Sequence, residues 1–186
     1  PDIDTILYAL AGELDPNKGW GRRDETFHCL ETMKRLGVPS WFKLGDRDLA
    51  THLIRSSILR QGSSLESATE ILADRLGIGT TVIPASNNPV RTHIQAGDTS
   101  LLFQEYFVRD KCQPTVTGVT YEGVKTAKAS EKATSSIIGA SRIILAPSNP
   151  VTTLKPSTPI FFRAHRQPKS TATNTNATNT CCVLTF

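Results

Sequence analysis

Aromatic residues are scarce in this 186-residue sequence, with Phe, Trp and Tyr making up 6%, and no run of them interleaves with basic residues as a stacking platform requires. That excludes the stacking platform on which single-stranded nucleic acid is bound. Long apolar runs are absent as well, none reaching the roughly 20 residues of a membrane-spanning helix. The N-terminal Pro1-Asp2-Ile3-Asp4 has neither the basic nor the apolar region of a secretory signal. Starting on Pro rather than Met, it raises the expectation that the chain begins mid-protein. Cysteine is limited to Cys29, Cys112, Cys181 and Cys182, with no CxxC pair and no Cys/His cluster at zinc spacing. Reduced thiols in a cytoplasmic protein are expected. Cys29, set in an apolar helical pattern, is read as a small core residue. Residues 181–186 do not place a cysteine fourth from the end, as a prenylation box requires.

The formal net charge of +4 comes from Lys and Arg scattered among Asp and Glu. A nucleic-acid binder concentrates its basic residues in a stripe, so an anionic small molecule is the better expectation for a partner. A hydrophobic content of 38% is enough for one compact unit with a real core.

Periodicity divides the chain into a helix-rich half and a strand-rich half. Residues 3–11 are apolar enough for a helix, while 12–21, with Pro16, Asn17 and the glycines at 12, 19 and 21, read as a loop. Asp24 caps a predicted helix through Leu36 that buries Phe27, Leu30 and Leu36 and stops at Gly37. Ser63 and Glu66 form a capping box for a helix running to about Leu76, before Gly77. From Thr81 on, β-branched and aromatic residues between turn signals predict short strands over 81–83, 90–94, 101–108 and 116–122. Turns at 87–89 and 96–98 make a small antiparallel sheet of them. A polar helix over 128–140 precedes an apolar strand over 142–146, which ends in Pro147-Ser148-Asn149-Pro150. Ser, Thr, Asn and Ala dominate 170–180, where nothing anchors a core, and disorder is expected there. The fold expected is α/β, an incomplete Rossmann-like sheet with a helical segment and a small antiparallel β segment. It occupies 1–151 and is followed by an atypical tail over 152–186.

Reactive side chains are densest in the run Trp41-Phe-Lys-Leu-Gly-Asp-Arg-Asp-Leu-Ala-Thr-His-Leu-Ile-Arg55. A helix starting near Asp48 puts Leu49, Ala50, Leu53, Ile54 and Ile58 on one side and Asp48, Thr51, His52 and Arg55 on the other. The first side is expected to pack and the second to be free for chemistry. Gly45 permits close backbone approach, and either Asp46 or Asp48 can cap the helix. The same spacing also describes a solvated amphipathic helix with salt-bridged arginines.

Several motifs occur in order: Pro1-Asp-Ile-Asp-Thr5, Trp20-Gly21, Lys43-Leu-Gly-Asp-Arg-Asp48, Ala50-Thr-His-Leu53, Phe103-Gln-Glu-Tyr106 and Pro147-Ser-Asn-Pro-Val151. Together they resemble the 2-phospho-L-lactate transferase family of coenzyme F420 biosynthesis, from residue 1 to about Val151. The resemblance implies transfer of a phospholactyl or phosphoenolpyruvyl group from a guanosine diphosphate conjugate to the deazaflavin alcohol FO, with GMP leaving and Mg2+ assisting. Such a reaction needs alignment and charge neutralisation more than covalent help.

By motif, Asp4 and Lys43 look like FO contacts, although Asp4 also suits a helix N-cap and Lys43 a solvated lysine. Asp46 and Asp48 can hold Mg2+ as hard oxygen ligands, and capping explains them equally well. Arg47 and Arg55 match a diphosphate in two-point contact, with an ion pair to Asp46 or Glu25 as the alternative. His52 is the candidate general base, against a hydrogen-bonded structural role beside Thr51. Ser148 and Asn149, beyond a strand's carboxyl end, are placed at the guanosine diphosphate site.

The sequence departs from the family pattern at both ends. A Gly-rich phosphate turn is expected before residue 1, and the segment after Val151 is unlike the family's continuation. The chain therefore reads as a central fragment with little activity alone. Cytoplasmic localisation and a homodimer complete the expectation. The rival reading is a nucleotide-sugar-binding regulatory protein of the same superfamily, resembling gluconeogenesis factors.

Overall fold

A computed structural model describes residues 3–144 and 182–185. The fold is mixed α/β. Four helices come first, α1 (Ile3–Leu10), α2 (His28–Arg35), α3 (Asp46–Arg60) and α4 (Leu65–Arg75), followed by β1 (Thr81–Pro84). Then come β2 (Arg91–Ala96), β3 (Thr99–Leu102), a π-helical turn at Glu105–Arg109, β4 (Gly118–Glu122), α5 (Glu131–Gly139) and β5 (Cys182–Thr185).

The core sits where α1 and α4 meet β1. Leu7, Leu72, Ala73 and Val82 are buried together, flanked by Ile3, Ile6, Leu76 and Ile78. Each Leu, Ile or Val removed from water there contributes roughly 1.5–3 kcal/mol. The helix α4 is positioned by its N-cap Ser64, whose hydroxyl accepts from the Ser67 amide. The cap is thus one residue later than the Ser63–Glu66 box, and Glu66 is released to accept a hydrogen bond from Ser130 of the α5 N-cap at 2.5 Å.

Strands β3, β2 and β4 form an antiparallel sheet in that order, with Ile94 opposite both Leu101 and Val119. A two-residue loop joins β2 to β3, and Gly97 at φ +59° supplies the positive φ needed there. The strand expected over 101–108 is cut short by a helical turn. Phe103 stacks on Phe107 with centroids 5.5 Å apart, and Arg109 pairs with Glu105 at 2.9 Å. Both contacts join residues four apart, a spacing that only a helical backbone brings together.

Further expectations are corrected. Helix α2 starts at His28, not at Asp24, which takes φ +55° in the preceding turn. Leu36, expected to be buried, is 76% exposed, and Cys29 is exposed rather than part of the core. Residues 142–144 form no strand. At the other end of the chain, residues 182–185, assigned to the tail, form β5 and pair in parallel with β1, Thr81 opposite Cys182 and Pro84 opposite Thr185. Residues 145–181, and with them the disorder expected over 170–180, lie outside the described residues. Among the described residues no helix is long and apolar enough to cross a membrane.

The largest correction concerns α3. Its buried residues are Thr51 and Ile58, while Leu53 is 58% and Ile54 39% exposed. The polar side that was expected to be free faces α1 instead, because α1 carries partners for it.

Candidate functional site

Asp4 and Tyr8 lie four residues apart on α1 and so share one face, as Asp48, His52 and Arg55 do along α3. The two faces meet. Arg55 donates from Nη1 to Asp4 Oδ2 at 2.9 Å, and its Nη2 closes on Asp4 Oδ1. His52 Nε2 stands 3.5 Å from Asp4 Oδ2 and 3.5 Å from Asp48 Oδ1. The hydroxyl of buried Tyr8 donates to Asp48 Oδ1 at 2.7 Å. Asp4 is buried, whereas the His52 side chain keeps 43% of its surface exposed, which leaves it open to a ligand.

Asp4, Asp48 and His52 offer one ligand atom each, all within 4.8 Å of one another. Two carboxylate oxygens suit a hard divalent cation such as Mg2+ or Mn2+, so the donor set fits the metal that the resemblance implies. Asp46, named with Asp48 for this role from sequence, has its carboxylate engaged elsewhere. The Asp46 carboxylate accepts from the Thr26 hydroxyl at 2.6 Å and from the amides of His28 at 2.9 Å and Cys29 at 3.0 Å. It caps α2 from outside that helix. The Thr26 hydroxyl first, then the two amides, hold its pKa below the ordinary carboxylate value.

The reciprocal cap comes from Glu25. Its carboxylate accepts from the amides of Arg47 at 2.9 Å and Asp48 at 2.8 Å, the first turn of α3. A Cβ on Gly45 would collide with the Glu25 carboxyl, so this cap requires glycine at 45. Glu25→Ala and Gly45→Ala are each expected to lower stability by about 1 kcal/mol. In urea unfolding the double variant should lose no more than either single one. Additive losses would show that the two residues act separately.

Lys43 lies over the Phe27 ring, Nζ to centroid 4.4 Å, and lines a small cleft with Lys18, Trp20, Arg22, Glu25 and Asp48. Asp48 therefore belongs both to this cleft and to the cluster around His52. Arg47 is exposed at the start of α3, its Nη1 3.5 Å from the carbonyl of Arg23. Ser148 and Asn149 lie outside the described residues. Tyr8 was not picked out from sequence, and Glu25 was named only as an ion-pair partner for Arg47 or Arg55. Tyr8 follows Asp4 at helical spacing and could have been found, but nothing local links Glu25 to a helix that begins 21 residues later.

The sequence matches the family described as 2-phospho-L-lactate transferase CofD over residues 1–160. The chain belongs to the CofD family. Phosphoenolpyruvate transferases of Mycobacterium ulcerans and Mycobacterium marinum are each 44% identical to it over 161 residues, covering 83% of this chain and 49% of theirs. That of Mycobacterium tuberculosis is 41% identical over the same coverage. The chain thus spans about half the length of the relatives it matches. A crystal structure of a Bacillus halodurans protein shares the fold at a TM-score of 0.53 and 14% identity, over 96% of this chain and 51% of that one. The CofD match covers every element from α1 to α5, while β5 lies beyond it.

Proposed function

We propose that this chain carries the acceptor-activating part of a CofD-type transferase. The reaction moves a 2-phospholactyl or enolpyruvyl phosphate group from a guanosine diphosphate conjugate to the ribityl hydroxyl of FO. The observation that carries this reading is the convergence of Asp4, Asp48 and His52 beside the Lys43 cleft. His52 takes the hydroxyl proton, and the carboxylates on either side of Nε2 stabilise the imidazolium that results. The freed oxygen attacks the phosphorus bearing the lactyl or enolpyruvyl unit. The bond from that phosphorus to the bridging oxygen breaks, and GMP leaves with the electron pair.

The deazaflavin ring is proposed to lie across the mouth of the small cleft beside Trp20 and Phe27, with Lys43 polarising a ring carbonyl. Asp4 is the FO contact implied by resemblance, and its Oδ2 lies 3.5 Å from His52 Nε2. Arg47 meets the diphosphate from its exposed position, and Ser148 and Asn149 are proposed for the guanosine side on the sequence alone. Arg55, proposed from sequence for the same diphosphate, serves by holding Asp4. Mg2+ held by Asp4 and Asp48 would neutralise charge on the transferring phosphate. Substrates of this kind place the reaction in the cytoplasm.

Titration with FO tests the reading. FO fluorescence is expected to change on adding the chain, and Lys43→Ala should weaken binding by about 1.5–3 kcal/mol as one charged hydrogen bond is lost. An unchanged affinity with an intact circular dichroism spectrum removes Lys43 from the site. No response from the unaltered chain overturns the acceptor assignment. GMP release by this chain alone is expected to be low.

A further inference from the structure

Tyr8 is buried beneath the cluster and belongs to no role described so far. Its hydroxyl reaches Asp48 Oδ1 at 2.7 Å, the same oxygen that lies 3.5 Å from His52 Nε2. The guanidinium of Arg22 lies over the Tyr8 ring, 5.3 Å from its centroid, and is itself paired with Glu13 and 3.4 Å from the carbonyl of Arg47. The ring is thereby held between α1, the loop that carries Arg22, and the first turn of α3. A neutral phenol has one proton to donate, and at this distance it goes to Asp48.

We infer that Tyr8 is the positioning residue of the cluster, its hydroxyl fixing Asp48 Oδ1, the oxygen that faces His52, so that the carboxylate is held ready for a divalent cation. This rests on the proposed reading of Asp4 and Asp48 as metal ligands. A carboxylate that is free to rotate must be ordered again each time an ion binds, and the donated hydrogen bond removes that cost. Partners that orient metal ligands in this way alter metal affinity by about ten- to a hundredfold when removed. Phe at position 8 keeps the buried ring and removes only the donor.

The test uses the chain as it stands, with Mn2+ as the probe, counting free ion by electron paramagnetic resonance. The expected result is that the unaltered chain binds Mn2+, Asp48→Asn abolishes binding, and Tyr8→Phe raises the dissociation constant about tenfold or more. Binding by Tyr8→Phe within twofold of the unaltered chain, with Asp48→Asn still defective, overturns the role of Tyr8 and leaves the metal site standing. Failure of the unaltered chain to bind Mn2+ overturns both. A second measurement does not depend on Tyr8→Phe folding. Mg2+ added to the unaltered chain should shift the tyrosine ultraviolet absorption, and the shift should persist in Tyr106→Phe and Tyr121→Phe. A flat difference spectrum overturns the assignment.

Discussion

Replacing Asp4 by alanine is expected to lower the unfolding free energy by about 3 kcal/mol, a large share of the roughly 5–15 kcal/mol that a domain has in total. The cause is Arg55. Its guanidinium is only 14% exposed and directed at Asp4, whose own side chain is 10% exposed. Taking away the carboxylate strips a largely buried positive charge of the counter-ion it is directed at. Asp4→Asn, which still accepts a hydrogen bond, should cost about half as much. Urea unfolding followed by circular dichroism checks both, through a lower midpoint at an unchanged slope. A loss below about 1 kcal/mol for the alanine variant would mean that solvent reaches Arg55, and that the pair is worth no more than a surface salt bridge.

Gly123→Ala should lose roughly 2–5 kcal/mol for an unrelated reason. Gly123 follows β4 at φ +81°, and a Cβ there would strike the carbonyl oxygen of Pro89, which leads into β2. The left-handed backbone costs a residue with a side chain about 1–2 kcal/mol. The clash adds the 1–3 kcal/mol typical of overpacking, because a backbone carbonyl cannot swing aside as a side chain does. Gly97 separates the two contributions. It has φ +59° but open space around its would-be Cβ, so Gly97→Ala should cost only about 1 kcal/mol. Equal losses for the two variants would show that the Pro89 contact relaxes freely and that only the dihedral matters.

These expectations separate the cluster from the sheet. Asp4, Tyr8, Asp48, His52 and Arg55 all belong to α1 and α3, and Gly97 and Gly123 belong to the turns of the β2–β3–β4 sheet. Loss of stability from the glycine variants should therefore leave Mn2+ binding by the folded fraction unchanged, whereas Tyr8→Phe alters binding without touching the sheet.

What the sequence determined by itself was whatever depends on residues close together in it. The strand at 81–84, the 96–98 turn, the ends of α4 near Leu76 and the strand up to Glu122 follow from turn residues, caps and β-branched runs a few positions apart, and the CofD motifs were legible for the same reason. The same spacing placed Asp48, His52 and Arg55 on one side of α3. Tertiary structure alone decided which way that side faces. Asp4 lies 51 residues from Arg55 and Tyr8 40 from Asp48, and these long-range partners draw the polar face inward while Leu53 and Ile54 remain exposed. It also decided that Asp46 caps α2 and Glu25 caps α3, exchanging roles that local pattern had given to Asp24 and to Asp46 or Asp48. A cap needs only an acceptor oxygen near unpaired amides, and any segment the fold brings there can provide it. A periodic pattern marks the faces of a helix, but burial is settled by what packs against each face, and here it was a buried carboxylate and a tyrosine hydroxyl that made the polar face the inner one.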